Sequence, residues 1–177
     1  MTVKCALLLR AVNVSGRNRV PMPELRALLE ERTSLSDVST YIASGNILCR
    51  APGDLAAACA EVRALVAEAF GVDTPVIGRT HRELVRVLDS LPFPDASERM
   101  LHVMFLEGDP APDAQRALEP RLHAKERIAL IGRELWIDYA DGAGTSKLTP
   151  GVLDRALGVA GTARNLRTVR VLAERTA

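Results

Sequence analysis

Four short segments gather the side chains that could do chemistry. The first is Leu7–Pro23, LLLRAVNVSGRNRVPMP, which carries Arg10, Asn13, Ser15, Arg17, Asn18 and Arg19 around Gly16. Guanidinium forks and the backbone N–H groups of a glycine-bearing turn suit phosphate or carboxylate oxygens. A solvated loop kept soluble by its arginines is the ordinary alternative. The second is Gly142–Thr149, GAGTSKLT, with Lys147 just before a helix start, where anions are favoured. Lys147 follows Ser146 rather than glycine, so the segment lacks the spacing of a nucleotide phosphate loop. The third is Tyr41–Asn46, YIASGN; Gly45 and Asn46 are also ordinary hairpin-turn residues. The fourth is Thr162–Arg167, TARNLR, with Arg164 and Asn165. There Arg164, Arg167 and Arg170 recur every three residues and read as a basic helix stripe, or simply as a solvated helix face.

Metal and redox chemistry find little support. His81, His102 and His123 show no ligand spacing, and HExxH and paired cysteines are absent. No metal and no cofactor are expected. Cys5, Cys49 and Cys59 form no CxxC pair and read as buried free thiols. No general base stands out beside the arginines, so no reaction is assigned and enzymatic activity is left open.

Bulk composition narrows the partners. The 177 residues hold 23 basic and 22 acidic side chains, a net charge of +1. That gives no whole-protein field of the kind that drives nonspecific nucleic-acid binding. Aromatic residues make up 3% of the chain, few for stacking on single-stranded bases. The apolar run Cys5–Leu9 is broken by Arg10, and no stretch reaches the roughly 18 residues of a membrane span. No leader pattern is visible, and a cytoplasmic protein is expected.

The elements that position these segments follow from periodicity. Val3–Val12 reads as a strand apolar on both faces, hence covered. Pro21 and Pro23 open a helix over 23–32 with Leu25, Leu28 and Leu29 on its stripe. Val38–Ala43 and Ile47–Arg50 form a hairpin around Ser44–Asn46. Asp54 caps a helix that Gly71 ends. Thr74–Gly78 is a fourth strand, and Thr80–Glu83 a capping box. The order is βαββαβ, a ferredoxin-like split βαβ.

A proline-bearing break at Leu91–Ser97 separates two subdomains, 1–91 and 98–177. The second, smaller and also α+β, runs through a strand at Leu101–Leu106, a helix from Asp113 to Leu122 and a hairpin about Gly132-Arg133. A helix capped by Thr149 and ended by Gly158 follows. The last helix is expected to be capped by Thr162. The second half thus reads βαββα plus a C-terminal helix.

Read in order, LLRAVNVSGRNRVPMPELRALLE, VSTYIASGNILC, HVMFLEG, GAGTSKLT and LGVAGTARNLRTVRVLAE resemble the bacterial domain of unknown function 1697 family across nearly the whole chain. The resemblance implies a two-part α+β protein with a ferredoxin-like first half. It carries over no catalytic residue. One departure is Leu166, where the family usually has tryptophan.

The functional expectation is a small phosphate- or carboxylate-bearing ligand held in a cleft between the subdomains. Its contacts would come from Arg10, Asn13, Arg17, Asn18, Asn46, Lys147, Arg164 and Asn165. The alternative is a nucleic-acid-binding module using the loop and C-terminal-helix arginines. A structural role through dimerisation is a third reading, which the sequence does not address.

Overall fold

The structure, a computed structural model, describes residues 1–177. It is α+β, with two four-stranded antiparallel sheets and six helices. The chain divides into two compact units: Met1–Arg86 with Leu172–Ala177, and Val87–Val171. No helix is long and apolar enough to cross a membrane.

In the first unit the order is β1 (Thr2–Leu9), α1 (Met22–Arg32), β2 (Ser36–Tyr41), β3 (Asn46–Pro52), α2 (Leu55–Phe70), β4 (Val76–Thr80) and the start of α3 (His81–Asp89). The sheet order is β2-β3-β1-β4. β1 is central, and Cys5 to Leu9 are all fully buried, as apolarity on both its faces requires. Cys5, Leu7 and Leu9 face the core built with Leu25 and Leu29 of α1 and with Val62 and Val66 of α2. Local chemistry sets the helix ends. The Ala57 N–H donates to the Asp54 side chain, and Gly71 closes α2 in the left-handed conformation. At the head of α3, Thr80 and Glu83 bond each other reciprocally, with Thr80 N to Glu83 Oε2 at 2.8 Å and Glu83 N to Thr80 Oγ1 at 3.2 Å. The edge strand β2 carries a bulge between Ser36 and Ser39, where Asp37 takes φ 52°.

The second unit contains β5 (Leu101–Leu106), α4 (Ala114–Leu118), β6 (Arg127–Ile131), β7 (Glu134–Asp138), α5 (Pro150–Leu157), β8 (Gly161–Asn165) and most of α6 (Leu166–Arg175). Its sheet order, β6-β7-β5-β8, repeats that of the first. Met104, Leu106, Leu118, Leu135, Ile137 and Leu157 make its helix-side core. Thr149 caps α5 through the Val152 N–H, with Pro150 in the first turn and Gly158 at the end.

Three sequence expectations are corrected here. The first strand stops at Leu9 rather than Val12. The helix expected over Asp113–Leu122 is α-helical only over Ala114–Leu118 before a 3-10 turn at Glu119–Arg121, where Pro120 offers no N–H. Thr162 does not cap the last helix; Gly161–Asn165 is the strand β8, paired antiparallel to β5. The cap is Asn165, whose Oδ1 accepts the Thr168 N–H at 2.9 Å. The second half is therefore βαββαβα, and the three-residue recurrence of arginine is no helix stripe. Arg164 lies buried in a strand, while Arg167 and Arg170 lie exposed on α6.

Candidate functional site

β1 ends at Leu9, and the chain then turns through an irregular loop before α1. The loop is pinned at both ends by burial of Val12 and Val20 in the first unit's core. Ala11, just before Val12, and Asn13, Ser15, Gly16 and Asn18 between the two valines all have positive φ. Ser15 and Gly16 are the two central residues of a tight turn, with Val14 and Arg17 bridged across it and the Arg17 N–H on the Val14 carbonyl at 2.9 Å. Positive φ at both central positions is the type I′ pattern of short hairpins.

Side-chain amides hold this backbone. Asn13 makes three bonds: Oδ1 accepts the Val20 N–H at 2.8 Å, and Nδ2 donates to the Val20 carbonyl at 2.9 Å and to the Ala43 carbonyl at 2.8 Å. Asn18 Nδ2 donates to the Ala11 carbonyl at 2.9 Å. The Thr74 hydroxyl donates to the Arg10 carbonyl at 2.6 Å.

Asn13 thereby ties the loop to the turn between β2 and β3. That turn holds a β-branched residue, Ile42, at φ 49° and Gly45 at φ 88°. A left-handed β-branched residue is a real outlier and signals a conformation imposed by its surroundings. Gly45 sits hard against β1: its carbonyl accepts the Leu9 N–H at 2.9 Å, and a Cβ there would lie 2.7 Å from Leu9 Cβ. Asn46, fully buried, donates Nδ2 to the Tyr41 carbonyl at 2.9 Å and to the Ser44 hydroxyl at 3.1 Å.

Five of the expected residues, Arg10, Asn13, Arg17, Asn18 and Asn46, thus gather at one end of the first sheet. By their bonds, three of them are fasteners: the amides of Asn13, Asn18 and Asn46 grip backbone or Ser44. Arg17 and Arg19 are exposed on the loop, and Arg10 is half-buried. Neither Tyr41–Asn46 nor Arg10–Pro23 contains an acidic residue. Val14 and Ile42, which sequence reasoning did not single out, are the exposed apolar residues here, 53% and 52% accessible. Nothing in an isolated valine or isoleucine signals such a position.

The other three belong to the second unit. Lys147 is exposed in the loop that follows a 3-10 turn at Ala143–Thr145. Arg164 is buried; its Nη1 donates to the Thr162 hydroxyl at 2.7 Å and to the Ala163 carbonyl at 2.9 Å. Burial lowers its pKa to about 10. Asn165 is the cap of α6. No three His, Cys, Asp or Glu side chains are grouped to hold a metal ion.

A family model described as a protein of unknown function, DUF1697, matches residues 1–136, most of the chain. The chain belongs to the DUF1697 family. A solved structure of a conserved bacterial protein from Streptococcus pneumoniae is similar to this DUF1697 chain over 100% of both, with a TM-score of 0.79 and 21% identity, a likeness of fold. No curated protein matches the chain.

Proposed function

We propose that the protein binds a small anionic ligand, bearing phosphate or carboxylate, through the Arg10–Val20 loop of the first unit. One observation carries this reading: the left-handed residues from Ala11 to Asn18, joined by Ile42 and Gly45 of the neighbouring turn, crowd a single sheet end. Each strained non-glycine residue costs about 1–3 kcal/mol, and such costs persist where a site needs a fixed shape. Here the fixed shape presents Arg17 and Arg19 with no carboxylate in the loop to neutralise them. The roles of Asn13, Asn18 and Asn46 are then to hold the platform rather than to touch the ligand. The strand order within each unit supports a ferredoxin-like reading of both.

The experiment is a thermal-shift screen of phosphorylated and carboxylated metabolites. A ligand at about 100 times its Kd stabilises by about 2.7 kcal/mol. For a chain of this size that is a rise of about 5–10 °C. The Arg17→Ala/Arg19→Ala double variant should lose the shift and keep the unliganded melting temperature. A binder of nucleic acid would instead give affinity that falls steeply with salt for any oligonucleotide. A flat screen across both ligand classes would sink the anion reading.

A further inference from the structure

The geometry points to a second anion site in the first unit, built from Lys4, Arg50 and Arg175 and taking a phosphate-class oxyanion. Antiparallel pairing of β1 with β3 sets Lys4 directly opposite Arg50. Like charges on facing positions of a sheet repel, so negative groups are favoured over this rung. Both side chains leave the face opposite α1 and α2, since their neighbours Cys5 and Cys49 point into the helix-side core. The last turn of α6 adds the third cation. Arg175 Nη2 donates to the Ser39 hydroxyl at 3.3 Å, and its guanidinium lies 5.8 Å from the centre of the Tyr41 ring.

Between these groups is a cavity of about 80 Å³ floored by Leu48. A water needs about 10–15 Å³ by the same measure, so the space holds an ion of about five heavy atoms. One carboxylate lines it: Asp37, bonded to Arg50 Nε at 2.9 Å and itself 74% exposed. An exposed pair of that kind is held weakly, so Asp37 can give way to an incoming anion. The Lys4 ammonium also donates to a main-chain oxygen of Ala177. Three cationic donors from three elements surround a compact space. A tetrahedral oxyanion offers acceptors on every side, whereas a carboxylate offers two in one plane. The site is separate from the Arg10–Val20 loop: six residues along a strand are about 20 Å.

The test titrates the full chain with sodium phosphate, with glycerol phosphate and, at matched ionic strength, with sodium chloride. Melting temperature and calorimetric heat are read together. Phosphate is expected to stabilise where chloride does not. Lys4→Gln and Arg175→Gln, both at exposed positions, should each weaken phosphate binding about tenfold or more, the loss of one charge-assisted hydrogen bond. Circular dichroism confirms that each variant is folded. Arg116→Gln, exposed on α4 in the second unit and outside both sites, should bind phosphate unchanged. Binding of glycerol phosphate alone would mean that the anion arrives on a larger molecule, which supports the site. Equal effects of phosphate and chloride, or unchanged affinity in both glutamine variants, overturn it. Loss of binding in Arg17→Ala but not in Lys4→Gln moves the anion to the loop: the cavity proposal falls and the loop reading stands.

Discussion

Arg79 and Arg164 occupy the same place in their respective sheets. Each is the next-to-last residue of a final strand and 6% exposed, and each donates Nη1 to the preceding carbonyl, Gly78 or Ala163, at 2.9 Å. Each is followed at once by a helix cap, Thr80 or Asn165. One βαββαβα pattern is thus used twice, down to a buried arginine at the joint between last strand and last helix.

Arg164→Ala is expected to destabilise the protein by about 2–4 kcal/mol, because it removes buried side-chain volume and strips donors from Thr162 and Ala163. Arg164→Lys should recover less than half of the loss, since a single ammonium cannot reproduce the planar fork. Thermal unfolding of the pair checks this. A loss under 0.5 kcal/mol, about the size of an ordinary surface change, would show that the buried arginine is not structural.

Gly45→Ala and Gly16→Ala form a contrasting pair. Both glycines have positive φ, 88° and 72°. A Cβ at Gly45 would lie 2.7 Å from Leu9 Cβ and 2.8 Å from Val12 Cγ2, whereas one at Gly16 meets nothing within 4 Å. Gly16→Ala should cost only the left-handed penalty, about 1–2 kcal/mol. Gly45→Ala adds overpacking of about 1–3 kcal/mol. Denaturant melts that rank the two equally would contradict the close packing of this turn.

Asn13→Asp is nearly the same shape but cannot donate to the Val20 and Ala43 carbonyls. Its expected cost is about 1–3 kcal/mol, with one carbonyl partly buried and a new charge beside it. The informative readout is limited proteolysis. Cleavage between Ala11 and Arg19 should rise well beyond what the global loss of stability explains. Unchanged cleavage there would mean that the loop holds its shape without Asn13.

His102 sets a pH dependence. Burial holds its imidazole below the usual 6.5, while a 3.1 Å contact of Nδ1 with the Met100 carbonyl opposes the shift. Its ring also meets Tyr139 edge-on at 5.0 Å. Below 6.5 the unfolded chain takes up a proton that the native state refuses. Stability therefore falls as pH drops through that value towards the native pKa, and this contribution is flat above it. His102→Asn keeps a donor for Met100 and removes the titration. The difference between wild-type and variant melting temperatures should slope only below about pH 6.5. A slope at pH 8 would assign the effect elsewhere.

The three thiols should react in a fixed order. Cys5 and Cys49 face each other on one rung, Sγ to Sγ 3.7 Å, inside the core. Their shared hydrogen bond, and then burial, push the Cys49 thiol far up, so it supplies no thiolate. Cys59 is half-buried on α2. Mass spectrometry after iodoacetamide treatment of native protein should find Cys59 labelled first and Cys49 only on unfolding. The reverse order would refute the packing of that rung.

Local chemistry made much of this fold legible. Asp54, Thr149, the Thr80–Glu83 box, Gly71 and Gly158 mark helix ends because each satisfies a backbone group within a few residues of itself. The strand β8 was hidden because GTARN is short and its arginine falls in step with two helical ones. Within the site, Asn13, Asn18 and Asn46 were visible as special but not as fasteners, since an amide that can grip a ligand can equally grip a carbonyl. The left-handed Ala11 and Ile42 were invisible, because their conformation is imposed by neighbours distant in sequence. Lys4, Arg50 and Arg175 were scattered along the chain, and only strand register and the end of α6 bring them to one cavity.

The bulge in β2 bears on how the protein behaves in a crowded solution. An open sheet ends in a row of unpaired amides and carbonyls, which another molecule's strand can extend. At Asp37 the left-handed backbone breaks that row and sets a carboxylate on the rim. A second copy arriving edge to edge would find its ladder interrupted and a charge in the way. The irregularity thus works against edge-to-edge stacking into fibres.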